Sequence, residues 1–268
     1  MKKLIAIDLD GTALNTQSKL SDRTTQTLKR AMQAGHAVSI VTGRPYRMSQ
    51  QFYQQLGLHT PMVNFNGALV HIPEQKWAGE TETPISRDLV FDILGQKENL
   101  RLDFVAAENK ETFYIDSMDW FDPNFFAAPA TPANLLTTTN MTTNPTSMMV
   151  RTSNEFASDV SRELMKQYGD YVDVRTWGGP ISILEIVAKG IQKARGLDQV
   201  ARYLEIGQKD IIAFGDEHND EEMLAYAGWG VAMQNATDPI KKVANDVTEK
   251  TNAEDGLAAY LENYLDLA

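Results

Sequence analysis

Leu4-Ile5-Ala6-Ile7-Asp8-Leu9-Asp10-Gly11-Thr12 is an apolar run that ends in two acids and a glycine. An almost wholly apolar stretch from Leu4 to Leu9 is what a strand buried on both faces needs. In a parallel sheet the carboxyl ends of the strands face the ligand crevice. Residues two apart on a strand point the same way, so Asp8 and Asp10 are expected to share one site. Gly11 lets the chain turn sharply behind them. Taken alone, the same letters also describe a solvated Asp-x-Asp-Gly turn.

Outward from this stretch the chain alternates strand and helix. Ser21 caps a helix expected to run to about Ala34, with Gly35 as its stop. Ala37 to Val41 reads as the second strand, Pro45 to Leu56 as the second helix and Met62 to Phe65 as the third strand. The pattern returns in the last third: strands over Ile211 to Phe214 and Val231 to Met233, and helices over Asn219 to Ala227, from about Pro239, and over Glu254 to Leu265. Alternation of this kind predicts a doubly wound parallel sheet, an α/β fold. From about Pro84 to Val187 the text is richer in Thr, Asn, Phe and Pro. It has short β-leaning pieces (Thr112 to Ile115, Ser147 to Arg151, Val172 to Arg175, Ile181 to Val187) and two helical ones (Asp88 to Gln96, Glu155 to Tyr168). The expected organisation is therefore a discontinuous core, 1–83 and 188–268, with an inserted α+β domain over 84–187. Trp120, Phe121, Phe125, Phe126, Met148 and Met149 read as packing for that insertion, Trp177-Gly178-Gly179-Pro180 as a turn and Thr137 to Thr143 as a loop.

Composition narrows the chemistry. None of the 268 residues is cysteine, which excludes disulfides, thiolate metal sites and cysteine nucleophiles and fits a reducing cytoplasm. The first residues begin like a signal peptide, but the apolar run meets Asp8 and Asp10 too soon for an h-region. No other apolar stretch approaches a membrane span. A net charge of −11 argues against a nucleic-acid partner, and an anionic substrate must be drawn in by local cations. Nothing in the sequence decides oligomeric state.

A second acidic motif, Phe214-Gly215-Asp216-Glu217-His218-Asn219-Asp220, again follows an apolar strand. Alone it is also a helix cap. Together with Asp8 and Asp10 it brings three or four carboxylates to one rim. Two like charges about 4 Å apart repel by roughly 4 kcal/mol at an effective dielectric near 20. Such a cluster calls for a cation, and all-oxygen ligands select a hard one, Mg²⁺ before Zn²⁺. A carboxylate with Mg²⁺ invites phosphate. Val41-Thr42-Gly43-Arg44 offers a hydroxyl, a flexible backbone and a guanidinium, Lys193 an ammonium, and Asn66-Gly67 a further contact. His218 is set aside because its neighbours already supply the chemistry.

In order and spacing, Asp8-x-Asp10-Gly-Thr, Thr42-Gly-Arg, Lys193 and Gly215-Asp216-x-x-Asn219-Asp220 resemble the four motifs of the haloacid dehalogenase superfamily. Asn66-Gly67-Ala68, Leu184-Glu185-Ile186, Ala232-Met233-Gln234-Asn235-Ala236 and Glu254-Asp255-Gly256 are similar to its Cof-type sugar-phosphatase branch. The resemblance implies a Mg²⁺-dependent phosphatase acting on small phosphorylated metabolites, sugar phosphates first, with flavin and pyridoxal phosphates also within reach. It assigns Asp8 as nucleophile and metal ligand. Asp10 becomes the acid/base that also binds Mg²⁺ through its carbonyl. Thr42, Gly43, Arg44, Lys193, Asn66, Asn219 and Asn235 are then substrate-side contacts, and Asp216 and Asp220 complete the metal shell. The inserted domain becomes a cap that reads the leaving group. Ala194 stands where the family often has glycine, making Lys189 the alternative cation, and Gln234 replaces the usual glycine before Asn235. A phosphomutase with the same covalent intermediate and a non-catalytic sugar-phosphate-binding protein are the competing readings.

Overall fold

The computed structural model describes residues 2–176 and 182–267. They fall into two compact units, one made of Met1–Arg44, Ser49–Thr81 and Gln192–Ala268, the other of Pro45–Met48 and Glu82–Ile191. Among the described residues no helix is long and apolar enough to cross a membrane. The fold is α/β, a doubly wound parallel sheet with an inserted α+β unit.

In the first unit, Leu4–Ile7 is an inner strand of a five-stranded parallel sheet, with all four side chains fully buried. At roughly 1.5–3 kcal/mol for each large aliphatic chain taken out of water, this strand alone is a substantial part of the core. Its neighbours are Ala37–Ile40 on one side and Ile211–Gly215 on the other; Trp229–Ala232 and Asp246–Val247 continue outward from the latter. A bridge from Val41 to Val63 sets Met62–Asn64 beyond the second strand. The chain thus first winds outward on one side of Leu4–Ile7, then returns to build the other side from Ile211. The order reverses between Leu4–Ile7 and Ile211–Gly215, and a crevice at such a switch point is where open α/β sheets bind ligands. Asp8 and Asp216 are the first residues past these two strands.

Helix positions follow their caps. Ser21 Oγ accepts from the Thr24 amide, and the helix runs Asp22–Gln33. The helix expected over Asn219 to Ala227 splits into a 3₁₀ turn, His218–Asp220, and a short helix, Glu221–Tyr226. The last helix starts at Gly256 rather than Glu254, because Asp255 is left-handed with φ of 60°.

The second unit carries an antiparallel sheet ordered Phe113–Ile115, Leu102–Glu108, Ser147–Thr152, Ser182–Ala188 and Val172–Thr176. Helices Arg87–Gly95 and Ala157–Tyr168 meet where Gln96 donates to the Tyr168 hydroxyl. Phe104, Ala106, Phe113, Ile115, Met149 and Ile183 pack with Phe126, against which Phe121 and Phe125 are half-buried; Met148 is fully buried. Trp120 departs from the expected packing. It is exposed, with the Arg151 guanidinium 4.9 Å from its ring. The turn read at Trp177-Gly178-Gly179-Pro180 lies outside the described residues, as does Ile181.

Candidate active site

After Ile7 the chain leaves the sheet at once and enters a tight turn, Leu9–Ala13, broken by Asp10 (ψ 130°) and Gly11 (φ +69°). The Asp8 amide still donates to Phe214 O, so Asp8 stays attached to the neighbouring strand. Its carboxylate is buried and accepts from Lys193 Nζ at 2.7 Å. The same ammonium donates to Asp220 Oδ1 at 2.6 Å. Lys193 opens the helix Lys193–Tyr203, where the helix dipole disfavours a cation, and its side chain has no exposed surface. Two carboxylates offset both costs.

The third acid, Asp216, follows Ile211–Gly215; its Oδ1 accepts from Thr12 Oγ1 at 2.8 Å. Asp220 Oδ2 accepts from the Asp216 amide at 3.0 Å and the Glu217 amide at 3.3 Å, folding the 3₁₀ turn over the cluster. Gly11 is required beside it. A Cβ there would lie 2.0 Å from Asp216 Oδ2, in a backbone conformation that side chains avoid. The Thr12 hydroxyl, part of the first motif, orients Asp216.

Burial pushes the Asp8 carboxyl well above its usual value; Lys193 pulls it back, and Asp220, Asp216 and Asp10 push it up again. Burial likewise raises Asp216 to about 7, with Asp220 adding to it and the Thr12 hydrogen bond opposing. Burial works against the Lys193 charge, but Asp220 and Asp8 outweigh it and keep the ammonium protonated.

The loop after Ala37–Ile40 lies on the same rim. Thr42 is buried, its amide donating to Val63 O and its hydroxyl accepting from the Arg44 amide. Phe65 and Asn66 are both left-handed, at φ of 50° and 56°. Consecutive strained residues of this kind persist only where the surroundings over-determine them. The Asn66 amide donates to Thr42 O, and Asn66 Oδ1 accepts from Asn219 Nδ2 at 3.0 Å. Gly43 packs on the Asn66 side chain, which a Cβ would approach at 3.1 Å.

Arg44 and Asn235, both expected as substrate contacts, have protein partners here. The Arg44 guanidinium is on Asp10, with Nε 2.6 Å from Oδ2 and a terminal nitrogen 2.5 Å from Oδ1. Asn235 Nδ2 donates to Gly11 O while its Oδ1 accepts from the Asn252 amide, so the side chain ties the Gly11 turn to Asn252. Lys189 pairs with Asp173 at 3.1 Å, in the second unit. His218 is exposed, 3.5 Å from Glu217. One residue that sequence reasoning missed is Asn64, buried behind the loop. Its Nδ2 donates to Arg44 O at 2.8 Å and Ser49 Oγ at 2.9 Å, and its Oδ1 faces His71 Nε2 at 2.9 Å.

The acids fit a divalent cation. One oxygen from each of Asp8, Asp216 and Asp220 lies within 4.8 Å of the others, and all three are buried. All-oxygen donors with two carboxyls pushed upward are the donor set of a hard cation such as Mg²⁺.

Three comparisons bear on the family of the chain. Residues 5–261 match the sequence profile of the haloacid dehalogenase-like hydrolases. A 5-amino-6-(5-phospho-D-ribitylamino)uracil phosphatase of Bacillus subtilis is 38% identical over 269 residues, covering 98% of each chain. A pyridoxal phosphate phosphatase of Escherichia coli is 27% identical over 281 residues, again covering 98% of each. Among solved structures, a haloacid dehalogenase-like hydrolase from Bacteroides thetaiotaomicron superposes with a TM-score of 0.86. It is 26% identical and covers 98% of this chain and 100% of its own.

Proposed function

The chain belongs to the haloacid dehalogenase-like hydrolase family, and from that premise we propose that it is a Mg²⁺-dependent phosphatase of small metabolites working through a phospho-aspartate on Asp8. The observation that carries this reading is the buried Lys193 ammonium between Asp8 and Asp220, with Asp216 alongside. It supports a reading in which Asp8 as nucleophile, Lys193 as fixed cation and the acids as metal ligands act side by side.

An Asp8 carboxylate oxygen attacks the phosphorus, forming the Asp8 acyl phosphate (a mixed anhydride) as the bond to the leaving oxygen breaks. Asp10 delivers a proton to the departing alkoxide. The Asp10 carboxylate then takes a proton from water, whose oxygen attacks the phospho-aspartate and releases inorganic phosphate and free Asp8. Lys193 neutralises charge on the phosphoryl group, and Thr42, the Gly43 backbone, Asn66 and Asn219 frame its oxygens. Phosphoryl transfer is mostly positioning and charge neutralisation, and such groups supply both. Mg²⁺, held by Asp8, the Asp10 carbonyl, Asp216 and Asp220, would add Lewis-acid neutralisation of the same oxygens. Asn235 serves the site indirectly, through Gly11.

The two relatives named for a phosphoribitylamino-uracil and for pyridoxal phosphate support a small phosphorylated organic substrate. We take the phosphate ester of a sugar or polyol chain as first choice, and the inserted 84–187 segment as the cap that reads the leaving group. A cysteine-free chain is at home in a reducing cytoplasm.

The test is phosphate release from sugar, polyol, nucleotide and cofactor phosphates, 5-amino-6-(5-phospho-D-ribitylamino)uracil included, with Mg²⁺ or with EDTA. Metal-dependent release is expected, and its ranking names the substrate. No release from folded protein would overturn the reading in favour of a mutase or a binder.

A further inference from the structure

Asp8 and Asp10 each hold their own cation, and the two pairings differ in kind. Lys193 reaches Asp8 from a buried helix start and is shared with Asp220. Arg44 lays a two-pronged fork on both oxygens of Asp10, at 2.6 and 2.5 Å. A bidentate guanidinium–carboxylate pair fixes the plane of the carboxylate as well as its distance.

The fork is itself anchored. The Arg44 amide donates to Thr42 Oγ1. The Arg44 carbonyl accepts from Asn64 Nδ2 at 2.8 Å and from the Phe65 amide at 3.4 Å. Asn64 is fully buried, and its other end meets the equally buried His71. The guanidinium carbon sits 5.6 Å from the Phe52 ring centroid. By contrast, the Asp10 carboxylate is 57% exposed on a turn broken at Asp10 and Gly11, so nothing in its own segment holds it as firmly.

We infer that Arg44 is the positioning residue of the acid/base Asp10, not a phosphate ligand, with Asn64 and His71 holding it from behind. This rests on the phosphatase reading above. Arg44 aims the Asp10 carboxyl at the leaving oxygen, where a proton must arrive as the ester bond breaks. Its value therefore depends on how much the leaving group needs that proton. An alkoxide needs it, whereas p-nitrophenolate departs without it. General acid–base assistance is worth about 10²–10⁴-fold.

The experiment measures kcat/KM, which reports on steps up to the phospho-aspartate, for an alkyl phosphate (a substrate from the panel) and for p-nitrophenyl phosphate. Wild type, R44A, R44K and D8N are compared, with thermal melts showing each to be folded. For R44A the alkyl ester should lose about a hundredfold and the aryl ester less than tenfold. R44K keeps the charge but cannot bridge both oxygens, so it should recover only part of the alkyl loss. Equal losses on both esters would overturn the inference and return Arg44 to the phosphate; so would no loss on either. Should R44A not fold, the same comparison on R44K decides. Wild type inactive on both esters, or D8N as active as wild type, would instead sink the phosphatase reading, and this one with it.

Discussion

Lys193 Nζ lies 2.7 Å from Asp8 Oδ1, an ion pair with no exposed surface on the lysine side chain. Removing one partner of a buried pair leaves an uncompensated charge, a loss of about 3–5 kcal/mol. Lys193→Met strands two acids, since Asp220 loses its partner as well. Its melting temperature in EDTA should fall by about 10 °C. Mg²⁺ should recover part of that fall, because it supplies the missing positive charge to the same carboxylates. A variant that melts like wild type in EDTA would show that the ammonium is not what holds the cluster together.

Asp8→Asn removes the nucleophile but keeps the shape. Burial already pushes the Asp8 carboxyl upward, so a neutral amide relieves a cost, and Lys193 keeps Asp220. Turnover should drop at least about a thousandfold while the melting temperature holds or rises. Residual activity within tenfold of wild type would remove Asp8 from the covalent role.

Gly11→Ala tests the metal site without touching an acid. The new Cβ would fall on Asp216 at a φ of +69°, so Asp216 must leave its Thr12 hydrogen bond. Misplacing an oriented ligand typically weakens metal binding about 10–100-fold. The Mg²⁺ concentration for half-maximal activity should rise by that much, and calorimetric titration reads it independently. An unchanged midpoint would separate Asp216 from the metal shell.

Much of this site is written along the chain because it lies at strand ends, where an apolar run stopping at an acid is a local signal. Asp8, Thr42 and Asp216 all stand there. The first unit's strands and helices were legible for the same reason, their boundaries shifting by a few residues where Asp255 and His218–Asp220 turn locally. What the letters hid is pairing across distance. Nothing near Asn64 announces that it grips Arg44 O, because that contact exists only once two loops meet. Arg44 reads as a phosphate contact from the motif it stands in, and its fork on Asp10 is visible only in the folded chain. Leu102–Glu108 was missed for another reason. Strand Leu102-Asp103-Phe104-Val105-Ala106-Ala107-Glu108 is buried along nearly its whole length, so the alternation that marks a strand is absent.

Glu262, far along the sequence, sets an acid limit on the fold that is separate from the chemistry. It accepts from Arg23 at 2.6 Å, Thr27 at 2.7 Å and Arg30 at 2.7 Å, clamping the last helix to Asp22–Gln33. The Arg23 hydrogen bond, followed by Thr27 and the charges of both arginines, outweighs the opposing effect of burial and holds its carboxyl at about 2, below the ordinary 4.5. A carboxyl depressed on folding adds stability above its unfolded value, and that stability fades as pH falls through the folded one. The contribution is therefore complete above about pH 4.5 and disappears towards pH 2. Solvent reaches this cluster, so its size is that of surface pairs, roughly 1 kcal/mol or less. Glu262→Gln should melt about 2 °C below wild type at pH 7, and the gap should close between pH 4.5 and 2. A gap that stays constant through that window would mean that the hydrogen-bonding shape of the side chain, not its charge, holds the two helices.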